Sequence, residues 1–177
     1  MPALDLEGRL ICDSNDIAYA LEEKFPDRAI VPPSDRDRGL CHALEDWADE
    51  SLYFIGIYYQ WRDREGAAEV PRAFYRIPVV GRVAYPLFDR VIQRQLRGQG
   101  IARKPPEHVA ADLERHLDAI ESLLEGREFL LDRGPLLCDF AMASQLHYLR
   151  RTPVAGRALA SRTAILAYLD RMKALRR

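Results

Sequence analysis

Pro2-Ala3-Leu4-Asp5-Leu6-Glu7-Gly8-Arg9-Leu10-Ile11-Cys12-Asp13-Ser14 places two short runs on either side of an x-Gly pair. The first run alternates apolar and acidic residues, and Arg9–Cys12 follows across Glu7-Gly8, a pattern that predicts a β-hairpin. Asp13-Ser14 then supplies residue types that cap a helix. Ile17, Leu21 and Ala18 give that helix one apolar face, and it ends near Phe25-Pro26. An isolated hairpin is marginal in water and leaves a strand edge unpaired. The front of the chain therefore reads as the tail of a larger α/β domain whose earlier strands are absent.

Moving outward, a loop carrying Pro26, Pro32 and Pro33 marks a boundary between residues 1–26 and residues 33–177. Beyond it the pattern is helical. From Ser34 to about Trp61, Leu40, Leu44, Trp47, Ala48, Leu52, Ile55 and Tyr59 recur at helical spacing, with Glu45, Asp46, Asp49 and Glu50 expected outside. Tyr53–Trp61 is apolar nearly all round and should be buried on most sides. Pro71 and Pro78 should break the next stretch. A helix is expected from about Pro86 to Arg97, stopped by Gly98 and Gly100. Pro105-Pro106 opens another, with Val109, Leu113, Leu117, Ile120 and Leu124 in one stripe. Further helices are expected over 135–149 and 162–175. The predicted fold is mostly α, a helical bundle preceded by a β-hairpin and one helix.

Composition narrows the functional classes. The 177 residues are 48% hydrophobic and 30% charged, with 26 basic and 27 acidic side chains and a net charge of −1. No basic excess favours nucleic acid. Arg90, Arg94 and Arg97 read as the wet side of a helix, as do Arg72, Arg76 and Arg82, although the latter three would also suit an anionic substrate. No apolar run reaches the length of a membrane span and no signal pattern opens the chain, so a cytoplasmic protein without membrane contact is expected. Cys12, Cys41 and Cys138 are odd in number and widely spaced, and each is expected to be a small buried apolar residue. His42, His108, His116 and His147 are too scattered for a metal site.

Two motifs carry a resemblance. Pro2-Ala3-Leu4 with Gly8, Asp13-Ser14 and Ile17 resembles the second half of the thioredoxin-like domain of glutathione S-transferases. Phe129-Leu130-Leu131-x-x-Gly134-Pro135-Leu136-Leu137-Cys138-Asp139-Phe140 is similar to the family stretch in which an apolar run and Gly precede a capped helix containing Asp. Leu44-Glu45-Asp46-Trp47-Ala48-Asp49-Glu50 and the order of helices agree. The resemblance implies a glutathione S-transferase C-terminal-like bundle behind the end of an incomplete thioredoxin-like domain. It implies glutathione as co-substrate, no metal, and a homodimer in full-length relatives.

By the same resemblance, Asp13 and Ser14 hold the γ-glutamyl end of glutathione, Pro2 is the family's cis-proline, and Met1 offers its backbone to the cysteinyl part. As a plain helix cap, Asp13-Ser14 serves with the same donors. Tyr53, Tyr58 and Trp61 are candidates for the electrophile pocket, with core packing as the competing role. The family conjugates glutathione to small electrophiles through a thiolate activated by a Tyr, Ser or Cys. That residue has no counterpart here, so no catalytic residue is assigned and little or no activity is expected of this chain. Leu136 replaces the usual capping Ser or Thr before Asp139. The stretch Arg97–Arg103, with Pro106-Glu107-His108, is similar to metaxin-like relatives and implies an alternative, a non-catalytic interaction module.

Overall fold

The computed structural model describes residues 2–75 and 79–175; Met1, Arg76 and Pro78 lie outside them. Strands β1 (Ala3–Leu6) and β2 (Arg9–Cys12) pair antiparallel, with Ala3 opposite Cys12 and Leu6 opposite Arg9. Glu7 and Gly8 take φ of 57° and 85°. Two left-handed residues in succession give the turn whose twist suits a two-residue hairpin. Helix α1 (Ser14–Lys24) follows, and none of its residues is fully buried. The loop after it does the anchoring. The Glu22 carboxylate accepts from the Ile30 N–H at 2.8 Å, and the Ile30 carbonyl accepts from the Leu137 N–H at 2.8 Å.

The long helical stretch from Asp35 to Trp61 is continuous but not uniform. It runs as α2 (Asp35–Trp47), a widened π-turn (Ala48–Leu52) and α3 (Tyr53–Trp61). The inward face of α2 is Cys41, Leu44, Glu45 and Ala48, an i, i+3, i+4, i+7 set. That corrects two expectations at once. Leu40 is 44% exposed, and Glu45, expected outside, is fully buried. Cys41 and Cys138 are buried as expected, whereas Cys12 is exposed because its edge of the hairpin has no covering layer.

Helices α4 (Arg64–Phe74) and α5 (Val80–Gln99) follow. Pro71 lies inside α4 and Pro86 inside α5, so neither marks an end. Each removes one backbone donor, but packing of α4 on α3 and of both helices on each other holds the geometry. Helix α6 (Pro106–Leu124) buries all five residues of its stripe, each contributing about 1.5–3 kcal/mol of apolar burial. Helices α7 (Leu137–Arg150), α8 (Pro153–Ala160) and α9 (Thr163–Ala174) complete the bundle. The absent cap hydroxyl at Leu136 is offset from the opposite direction. The buried Asp139 carboxylate accepts from the Leu136 N–H at 2.9 Å and the Leu130 N–H at 3.0 Å, and the Tyr168 hydroxyl reaches it at 3.2 Å.

Candidate functional site

The start of α1 meets the helical bundle along one groove of about 550 Å³. Pro2, Asp13, Ser14 and Asn15 form one wall. Asp49 and Tyr53 come from the π-turn and α3, and Leu137, Phe140, Ala141, Ser144 and Gln145 from α7. Asp49 and Tyr53 are i, i+4 neighbours, as are Phe140 and Ser144, so two helices each present one face to the opening.

Asp13 carries the most unusual backbone of this wall, with φ 91° and ψ 139°. A non-glycine residue there is strained by about 1–3 kcal/mol and persists only when its surroundings hold it. Its N–H donates to the Pro2 carbonyl at 3.2 Å, and its Oδ1 accepts from the Asn15 N–H at 2.9 Å. Among the described residues, neither Asp13 Oδ2 nor the Ser14 hydroxyl has a protein partner, and both residues are exposed. A helix N-terminus with a free hydroxyl receives a carboxylate, and a free carboxylate oxygen receives an ammonium group. The groove thus accommodates an amino acid-like end beside an apolar wall of Tyr53, Leu137 and Phe140.

Beneath the opening lies a polar floor. Asn15 Nδ2 donates to Glu45 Oε1 at 2.6 Å, and Gln145 Nε2 donates to Asp49 Oδ1 at 2.8 Å. Burial pushes the Glu45 carboxyl above the usual range; the Asn15 hydrogen bond opposes this, and the neighbouring Asp49 and Asp46 reinforce it. A larger recess of about 690 Å³ lies along the apolar face of α1 at Ile17, Leu21 and Phe25. It has few converging polar groups, and orientation of a small ligand requires those. The groove is therefore the candidate site.

Of the residues singled out from the sequence, Pro2, Asp13, Ser14 and Tyr53 meet at the groove. Met1, and with it the bond to Pro2, lies outside the described residues. Tyr58 is 5% exposed and packs edge-on to Tyr59, and Trp61 stacks on Tyr85 beside Phe74. Neither lines the groove. Sequence reasoning passed over Asn15, Asp49, Phe140, Ser144, Gln145 and the buried Glu45. Counting back four residues from Tyr53 would have reached Asp49. His42, Glu45 and Asp46 bring three ligand-type atoms within 4.8 Å of one another. Imidazole Nδ1 faces Glu45 and Nε2 faces Asp46, each at 3.7 Å, so the ring bridges two carboxylates.

No family model matches the chain. It is 25% identical over 177 residues to the isoprene-epoxide–glutathione S-transferase of Rhodococcus sp. (strain AD45), covering 96% of this chain and 74% of that relative. Among solved structures, a GST-like protein from Pseudomonas syringae superposes with a TM-score of 0.64 at 21% identity. The match spans 97% of this chain but only 48% of that one, about half its length. The beta-etherase LigF of Sphingobium sp. strain SYK-6 also superposes with a TM-score of 0.64, at 20% identity over 98% of this chain and 74% of that one. In sequence the chain is thus similar to a glutathione S-transferase, and in fold to two solved structures, one of them described as GST-like. It shares the mostly helical fold of those structures, with a short two-stranded hairpin in front.

Proposed function

We propose that this chain binds glutathione in the groove, with its γ-glutamyl end at the start of α1, and that its chemistry is conjugation to small electrophiles. One observation supports this above the others: among the described residues, the Ser14 hydroxyl and Asp13 Oδ2 stand unpartnered at a helix N-terminus that opens into the groove. The Ser14 hydroxyl and the helix end take the carboxylate, and Asp13 takes the amine. Tyr53 and Phe140 form the apolar side on which an electrophile would lie. Conjugation by the chain alone should be slow. Tyr53 and Ser144 are the hydroxyls on the bundle side of the groove, and among the described residues neither is hydrogen-bonded to a group that would prime it to stabilise a thiolate.

Titration calorimetry with glutathione, followed by a conjugation assay with a generic aryl halide, tests the reading. Measurable binding that weakens about tenfold in Ser14→Ala is the expected result. Absence of binding, or binding indifferent to Ser14→Ala, overturns it, and turnover matching a fully active transferase overturns the slow-conjugation part. The same reading includes a cytoplasmic homodimer, checked by sedimentation velocity.

A second reading, a non-catalytic interaction module, is favoured by one observation. Val83, Leu87 and Val91 form an exposed i, i+4, i+8 stripe on α5, with Phe88 beside it. A stable protein complex that is lost in Leu87→Glu and unaffected by Ser14→Ala would support this reading over the first.

A further inference from the structure

The polar floor of the groove has a role that ligand contact does not account for. Glu45 is fully buried, and among the described residues its Oε2 is the buried side-chain oxygen that lacks a hydrogen-bond partner. Its other oxygen accepts from Asn15 of α1 at 2.6 Å, and the Asp49 carboxyl is a neighbour that raises the Glu45 pKa further. Asp49 in turn accepts from Gln145 of α7 at 2.8 Å. A buried carboxylate beside the half-buried Asp49 would be repelled, and a buried anion with an unpaired oxygen is costly. One shared proton removes both penalties, because Oε2–H becomes a donor and Asp49 its acceptor.

We propose that Glu45 is a positioning residue of the groove, buried as the neutral acid, and that its hydrogen bonds to Asn15 and Asp49 tie the first turn of α1 to α7. Glu45 touches no ligand; it acts through Asn15, which follows Ser14 directly. The π-turn contributes by presenting Asp49 to both Glu45 and the groove. The surroundings favour neutrality from most sides. Burial disfavours a charge on Glu45 most, and Asp49 of the π-turn and Asp46 of α2 add to it; Tyr19 of α1 and Cys41 of α2 face the same carboxyl. His42, with Nδ1 3.7 Å from Oε2, works in the opposite direction. A carboxyl held above its ordinary range contributes stability that is fully present below that range and lost as pH rises through its raised value. The tie therefore weakens on the alkaline side.

The ligand arm of the test rests on the glutathione reading above, and the tie itself is read without ligand. Amide exchange at residues 15–18, corrected for intrinsic rates, is followed from about pH 5 to about pH 9 in the wild type, Glu45→Gln and Glu45→Leu. Wild-type protection is expected to fall about tenfold across that range. Glu45→Gln keeps an acceptor for Asn15 and a donor for Asp49 without a titrating proton, so its protection should be flat. Glu45→Leu should lose protection throughout. Glutathione affinity should follow the same three patterns. Superimposable pH profiles in the wild type and Glu45→Gln overturn the proposal, and that comparison decides even if the leucine variant fails to fold. The expected exchange pattern with no glutathione binding at any pH supports the tie and sinks only the glutathione reading.

Discussion

Asp13 concentrates the tension between stability and use at one residue. Its strained backbone costs about 1–3 kcal/mol, while its cap on Asn15 returns a smaller amount, since glycine at such a position loses only a few tenths. Asp13→Gly is therefore expected to raise stability by about 1 kcal/mol in urea unfolding while weakening glutathione binding measured by calorimetry. Unchanged binding would show that the carboxylate serves the fold alone. Asp139 presents the opposite case, a polar residue whose value is structural. Asp139→Ala would strand two buried N–H groups at Leu130 and Leu136 and is expected to cost about 3–5 kcal/mol. Tyr168→Phe removes one donor to the same carboxylate and should cost about 1–2 kcal/mol.

At the scale of elements, α3 and α4 approach so closely that a Cβ on Gly66 would stand 1.8 Å from the Tyr59 carbonyl oxygen. A backbone atom cannot step aside as a side-chain tip can. Gly66→Ala is thus expected to destabilise by at least about 2 kcal/mol, read as a lower thermal midpoint, despite alanine's better helix propensity. Elements were also where the sequence was most and least legible. The α6 stripe declared itself because five apolar residues recur at one period with nothing to compete. In α2 the choice between Leu40 and Glu45 for the inner face went the wrong way, because hydrophobicity cannot reveal a partner thirty residues upstream, Asn15, that makes a buried carboxyl tolerable. Pro71 and Pro86 misled for a related reason: tertiary packing overrode a local signal. At the groove, Asp13-Ser14 and Tyr53 were visible as a motif and an aromatic, whereas Phe140, Ser144 and Gln145 needed α7 to be placed before their shared face meant anything.

Across the whole molecule, burial is distributed unevenly. The hairpin and α1 contribute Ile11 alone to the buried set, and α3, α6, α7 and α9 supply most of the remainder. Hydrogen–deuterium exchange should therefore open residues 2–25 well before residues 106–150, and glutathione should slow the first group selectively. Uniform protection would contradict this division of stability. The widened turn at Ala48–Leu52 carries a consequence for how such a site evolves. Losing one codon there would swing every residue downstream in the helix by about 100° relative to those before it. A lineage can in this way re-aim the wall at Tyr53 by a change of length, leaving every side chain at Asp13, Ser14 and Asn15 as inherited.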